Sequence, residues 1–442
     1  MLVVGAGLAA LGSGLGSCNI YTEKLLEPDP RFDGGLAGSA GTGAAGSGGS
    51  GAAGATGGAA GSGGSESCSA GQCWWSTTTP EGCKDHRAPT GSDRPAAGAT
   101  NEIAPFYLAI DQLWLGETAP GSYPTGAEAW QFFGLNLDGV CTNSPNCPSA
   151  PKNVVSCRAG IGTPPDGVGC RDNMFARLEP VAADQPSLGG PFGISENAFN
   201  CELHRGSFSI LIKVSGYNGE ANDDQVRLDF YMSPGVDRVQ AWECPDSGWE
   251  NRAPWLASFP WKVNAAMLSG QPPGTGQLAN STLNDPDAFV KSGYLVGDLP
   301  DGAEMRFIGD NAVAAGFSLK FFKGLFVARP VLGNDGLWAA EDGLLAGRVK
   351  QGDMLSAFNQ IGFCVGGALP GGGTIAAGDT NLLVDYLRVN MDIMSTGEVN
   401  ADTDCDAMSV GIGFTARQAT PGAAVAVSPL TDCPNGGTPG AF

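Results

Sequence analysis

The stretch SFSILIKVSGYNGEANDDQVRLDFY, residues 207–231, decides the fold class. Residues 207–214 set Phe208, Ile210, Ile212 and Val214 at alternate positions. Residues 225–232 repeat the pattern, with Val226, Leu228, Phe230 and Met232 on one face and Gln225, Arg227, Asp229 and Tyr231 on the other. Successive side chains of a strand point to opposite faces, so a period of two with one polar set predicts strands buried on one side and wet on the other. Asn, Asp and Gly fill the connection, and such residues favour turns. The segment therefore reads as an antiparallel hairpin.

The same alternation extends outward. Residues 103–115 carry Phe106, Leu108 and Ile110, and residues 408–415 carry Met408, Val410, Ile412 and Phe414. Residues 317–331 and 344–350 read as further strands. Helices are expected at 352–362 and at 379–394, where Leu382, Leu383, Tyr386, Leu387, Met391 and Met394 form one stripe and Asp379 suits the cap. Gly is abundant, at 69 residues, and charged residues make up 16% of the chain, which suits strands and turns better than helical bundles. The expected fold is mainly β: an antiparallel β-sandwich, of jelly-roll or concanavalin-like arrangement, with one or two short C-terminal helices and a disordered N-terminal tether.

The first hundred residues read differently. Residues 1–17, MLVVGAGLAALGSGLGS, are apolar and small, too short for a permanent bilayer span of about 20 residues, and they suit a secretory leader. Leu15-Gly16-Ser17-Cys18 matches the pattern at which bacterial lipoproteins are cut and acylated, so Cys18 is expected to carry lipid. No Lys or Arg precedes Cys18, a departure from the positive start of such leaders. Residues 18–66 are then a tether, of which 34–65 are almost wholly Gly, Ala, Ser and Thr with a mean reach of roughly 30 Å. Residues 67–100 form a small Cys-rich segment, 101–433 the β domain and 434–442 a tail.

Of 13 cysteines, lipidation of Cys18 leaves an even set: Cys68, Cys73, Cys83, Cys141, Cys147, Cys157, Cys170, Cys201, Cys244, Cys364, Cys405 and Cys433. In an oxidising compartment these are disulfide candidates. They fall into an N-terminal group, a group from Cys141 to Cys170, and Cys364 with Cys405, which flank the second expected helix and are placed to staple it.

Net charge is −21, so a phosphate backbone is repelled and nucleic acid is not an expected partner. Only two histidines are present, His86 and His204, which leaves imidazole-built metal sites and His-dependent hydrolases short of ligands. Two acidic loops have the oxygen ligands that calcium prefers. One is Asn218, Glu220, Asn222, Asp223 and Asp224; the other is Asn400, Asp402, Asp404 and Asp406, with Cys405 where a calcium loop needs Gly. Asn and Asp turns explain both without metal, so Ca2+ remains an alternative. Trp242, Trp249, Trp255 and Trp261 crowd one Pro-rich stretch and are candidates for stacking on a sugar or for anchoring a long connection. No catalytic motif is present, and nothing places the carboxylates Asp229 and Glu243 together as a hydrolase pair.

The segments FFGLNLDGVCT (132–142), GVGCRDNMF (167–175), the opening hairpin and CDAMSVGIGFTA (405–416) resemble predicted surface lipoproteins of myxobacteria and related bacteria. The resemblance implies a lipoprotein and supplies neither an activity nor functional residues. The expected role is binding, or that of an envelope component, in the outer membrane by lipid anchor or outside the cell, with a glycan or another envelope protein as partner. The alternatives are a polysaccharide-active hydrolase and a calcium-dependent adhesin.

Overall fold

The structure, a computed structural model, describes residues 85–97, 101–118, 128–144, 154–160, 164–183, 195–237, 259–307 except 273 and 275, 316–368 and 374–440. Cys18, the tether, Cys68, Cys73, Cys83, Cys147, Trp242, Cys244, Trp249 and Trp255 lie outside these residues.

Eight long strands follow one another around a ring: β1 (Phe106–Trp114), β2 (Ser209–Ser215), β3 (Asp223–Ser233), β7 (Leu283–Lys291), β8 (Tyr294–Leu299), β10 (Phe317–Leu332), β11 (Trp338–Lys350) and β12 (Ala407–Gln418). Each pairs antiparallel with its predecessor, and β12 pairs back onto β1 through Leu113↔Phe414 and Ile110↔Ala416. The sheet thus closes on itself as an up-and-down barrel, where a sandwich of two facing sheets was expected. Bulges give the curvature that closure needs. One falls at Asp111 on β1 and one at Glu341-Asp342 on β11. Their carboxylates are held by cations: Asp111 by Arg417 at 2.8 Å, and Glu341 and Asp342 by Arg329 at 2.6 and 3.2 Å.

An eight-stranded barrel has an interior just wide enough for its own side chains. Here Phe230, Phe326 and Phe414 fill it, each fully buried, with ring centroids 5.3 Å apart for the first pair and 5.4 Å for the second. Gly343 makes room for this stack, because a Cβ there would come within 2.4 Å of the Phe414 ring.

The outer wall is not the wet face that alternation suggested. Tyr107 and Ala109 of β1, Leu211 of β2 and Tyr231 of β3 are buried under the insertion that joins β3 to β7. That insertion carries β4 (Pro260–Asn264), β5 (Leu268–Ser269) and β6 (Asn280–Ser281). Trp261 on β4 is wholly buried in this patch, where β13 (Thr420–Val425) pairs parallel beside it, so it offers no stacking surface. Asp229, read as a solvated strand acid, is also fully buried; Arg227 holds it through two 2.9 Å bonds and Ser281 N–H donates to it at 2.8 Å. Across the ring, Val296 of β8, Val327 of β10 and Leu344 of β11 are covered by Trp130, Phe133 and Leu135 from the insertion between β1 and β2.

Among its described residues, that insertion also supplies the helices α1 (Met174–Ala183) and α2 (Glu196–Arg205), which sequence periodicity did not indicate. Pro180 lacks the N–H that would bond the Ala176 carbonyl, and Gly116 lies so close there that a Cβ would sit 1.9 Å from that oxygen. Ser195 caps α2 by accepting from Ala198 N–H at 3.2 Å, and Gly206 ends it in the left-handed conformation at φ 77°. The expected C-terminal helices are present as α3 (Gln351–Gln360) and α4 (Ala377–Val389), whose Met354, Leu355, Leu383 and Leu387 join the barrel core. β9 (Ala303–Phe307) extends the β8 side of β10.

Cys364 and Cys405 do not staple α4. Cys364 bonds Cys433, fixing the C-terminal segment, and Cys405 bonds Cys157. Cys141 bonds Cys170, and Cys201 is disulfide-bonded as well.

Gly343→Ala should overpack the phenylalanine stack and cost about 1–3 kcal/mol, read as a lower urea midpoint. Combining it with Phe414→Leu should recover part of that loss, since the two substitutions share one space.

Candidate functional site

Several of the residues proposed for calcium bond backbone N–H groups of their own or neighbouring segments. Asp223 accepts from Asn218 N–H at 2.7 Å and Gln225 N–H at 3.1 Å, and Asn218 accepts from Glu220 N–H at 2.8 Å. Asn222 accepts from Ser292 N–H at 3.2 Å, which ties the β2–β3 hairpin to the β7–β8 turn. In the second loop, Asn400 accepts from Asp402 N–H at 3.1 Å and Asp404 pairs with Arg158 at 2.6 Å. Asp406 holds Ser395 by its N–H at 2.6 Å and its hydroxyl at 2.7 Å. Among the described residues, no three His, Cys, Asp or Glu side chains stand together in an arrangement that would hold a metal ion.

A different set of acids does converge. Asp138-Gly139-Val140-Cys141 and Asp166-Gly167-Val168-Gly169-Cys170 are two versions of one short run, and the Cys141–Cys170 disulfide joins them with a Cα separation of 4.8 Å. Asp166 N–H donates to Thr142 O at 2.8 Å, and the Asp166 carboxylate accepts from Thr142 N–H. Asp172 follows, accepting from Leu137 N–H at 2.6 Å and Asp138 N–H at 3.2 Å. Asp392 arrives from the turn after α4, held by Ser409 N–H at 2.8 Å and its hydroxyl at 2.5 Å. All four carboxyls line one cavity of ≈ 20 Å³, together with Ser156, Arg171 and Cys157.

Burial governs the charge in this cluster. Asp166 and Asp172 are 8% and 5% exposed. Loss of solvent, followed by the neighbouring aspartates, pushes Asp166 up to about 8 and Asp172 well above the usual carboxylate range. Burial likewise raises Asp392 to about 7 and raises Asp138. The cations within reach are Arg171, which donates to Val168 O and lies 3.2 Å from His86 Nδ1, and Arg348, which donates to Leu137 O at 2.6 Å. Burial lowers the Arg348 pKa, against the opposing pull of Asp172, Asp138, Asp392 and Asp301.

Two or more buried carboxyls with raised pKa values are what an acid–base hydrolase presents. The space is wrong for one. A cavity of ≈ 20 Å³ accommodates about one water, whereas small-molecule sites span roughly 300–1,000 Å³. A second small cavity, ≈ 30 Å³ and lined by Arg94, Asp285 and Asp298, is no larger in kind. The repeated Asp-Gly-Val before each half-cystine is the sequence signal that marks Asp138 and Asp166 as neighbours; Asp172 and Asp392 carry none.

Comparison of the chain with protein-family models, curated proteins and solved structures gives no match.

These protons link stability to pH. The unfolded chain loses them near pH 4, while the folded chain keeps them up to about 7 at Asp392 and about 8 at Asp166. Over that interval the native state binds more protons, so stability is greatest in acid and falls as pH rises through 7–8. Burial also raises Glu196 to about 7, and it adds to the same trend. The melting temperature should drop by about 5–10 °C between pH 5.5 and 8.5. Asp166→Asn should shrink that drop.

Proposed function

We propose that the chain is an exported envelope protein, anchored by lipid on Cys18, that acts by binding or as a structural component rather than by catalysis. The observation that carries this reading is the disulfide set: Cys141–Cys170, Cys157–Cys405 and Cys364–Cys433 span 29, 248 and 69 residues of sequence. Bonds of that kind belong to oxidising compartments. The apolar leader, the match around Cys18, the Gly/Ala/Ser tether and the resemblance to myxobacterial lipoproteins support attachment to a membrane surface. No described helix is long and apolar enough to cross a membrane; this reading places the attachment in acyl chains on Cys18. The barrel interior is filled by its own side chains, and the aspartate cavity is too small for a saccharide, which favours an outer surface as the place of contact with a glycan or envelope partner.

Labelling with a radioactive fatty acid in the native host tests the reading. The full chain should take up label and partition into the membrane fraction, and Cys18→Ser should abolish both. An unlabelled chain with free thiols on denaturation would overturn it. Turnover of any polysaccharide in a hydrolase panel would favour the enzymatic alternative.

A further inference from the structure

The insertion between β3 and β7 carries an exposed ribbon. β5 pairs antiparallel with β6 through Leu268↔Ser281 and Ser269↔Asn280. The described residues of the connection between them, 270–272, 274, 276 and 277, are exposed. A Cβ placed on Gly270, Gly274 or Gly276 would meet no atom within 4 Å, so this part of the ribbon stands in open space. Its returning strand holds Asn280-Ser281-Thr282, which is the one Asn-X-Ser/Thr triplet in the chain.

Burial separates the three side chains. Ser281 is 1% exposed; its hydroxyl donates to Phe230 O on β3 at 2.5 Å and accepts from Leu283 N–H at 3.0 Å. Asn280 and Thr282, on either side of it, are both exposed. Thr282 N–H donates to Met267 O at 2.7 Å, which fixes the backbone of the triplet. Among the described residues, neither the Asn280 amide nor the Thr282 hydroxyl has a hydrogen-bond partner. Ser281 thus anchors the triplet to the barrel wall, and the amide and the hydroxyl two residues on face outward with their bonding capacity unspent.

We propose that Asn280 is an acceptor for an N-linked sugar, taken from a lipid-linked glycosyl diphosphate. An Asn-X-Ser/Thr triplet at the surface of an exported chain is the arrangement that such transfer uses. The Asn280 Nδ2 forms a bond to C1 of the sugar, the bond from C1 to the diphosphate oxygen breaks, the diphosphate leaves with the electron pair, and one amide proton passes to solvent. The Thr282 hydroxyl is the group placed to orient the amide during attack. The inference rests on the export proposed above, since the donor and the transferring enzyme meet the chain only after it leaves the cytoplasm.

The test is mass spectrometry of peptides spanning residues 278–283, taken from the full chain purified from the membrane fraction of its native host and fragmented by electron transfer. The peptides should carry hexose or N-acetylhexosamine increments on Asn280. Asn280→Gln and Thr282→Val should abolish the increments, and Thr282→Ser should keep them. Both abolishing variants should melt together with the unglycosylated wild-type chain, because neither side chain bonds anything in the fold. An Asn280 of unmodified mass in a chain with lipid on Cys18 and formed disulfides would overturn this inference alone. An unmodified Asn280 in a chain with an uncut leader and free thiols would overturn it together with the export reading.

Discussion

The pairing of β12 with β1 is the constraint on which the remaining structure depends. Strands far apart in sequence meet there, and their hydrogen bonds turn a meander into a ring without edges. Once closed, the interior has a fixed width, and Phe230, Phe326 and Phe414 fill it. The short connections must then be tight turns, and everything longer must lie outside or across an end. That is where the insertions are found: one from β1 to β2, one from β3 to β7, and α3 with α4 between β11 and β12.

Covering the outside changes the chemistry of the strands. A barrel in open solvent would show polar residues on its outer wall, as the 225–231 alternation suggests. Instead Tyr231 donates from its hydroxyl to Ala279 O at 2.7 Å, and the Tyr107 hydroxyl accepts from Leu278 N–H at 2.9 Å, so both fasten an insertion to the wall. Lys213, 3% exposed beside Asp229, has its pKa lowered by burial. The acids of the 135–173 region follow the same logic: covering loops bury groups that arrived polar, and burial raises the pKa of Asp138, Asp166 and Asp172.

The strands with clean alternation were legible in the sequence: β1, β2, β3, β10, β12 and the C-terminal part of β11, and with them α3 and α4. β7 was not, because Asp285-Pro286-Asp287 interrupts it; the structure accommodates Pro286 at a bulge against β3, with Asp285 accepting from Asp287 and Asp298 N–H at 2.9 and 2.7 Å. Closure itself was illegible, since alternation specifies faces and not whether the last strand finds the first. α1 was hidden by Pro180, and α2 by a polar composition whose caps, Ser195 and Gly206, are its clearest mark. The aspartate cluster was half legible through its doubled Asp-Gly-Val run. Asp172 and Asp392 are brought in by tertiary contact alone. In the acidic loops chosen for calcium, Asn218, Asp223 and Asn400 accept from backbone N–H groups of their own turns.

The measurement that bears most directly on this account is the cross-strand nuclear Overhauser pattern of a perdeuterated sample. Closure predicts backbone contacts of Leu113 with Phe414 and of Trp114 with Gly413, alongside those of β12 with β11. Contacts of β1 with β2 and of β12 with β11, but none between β1 and β12, would describe an open sheet and contradict the barrel.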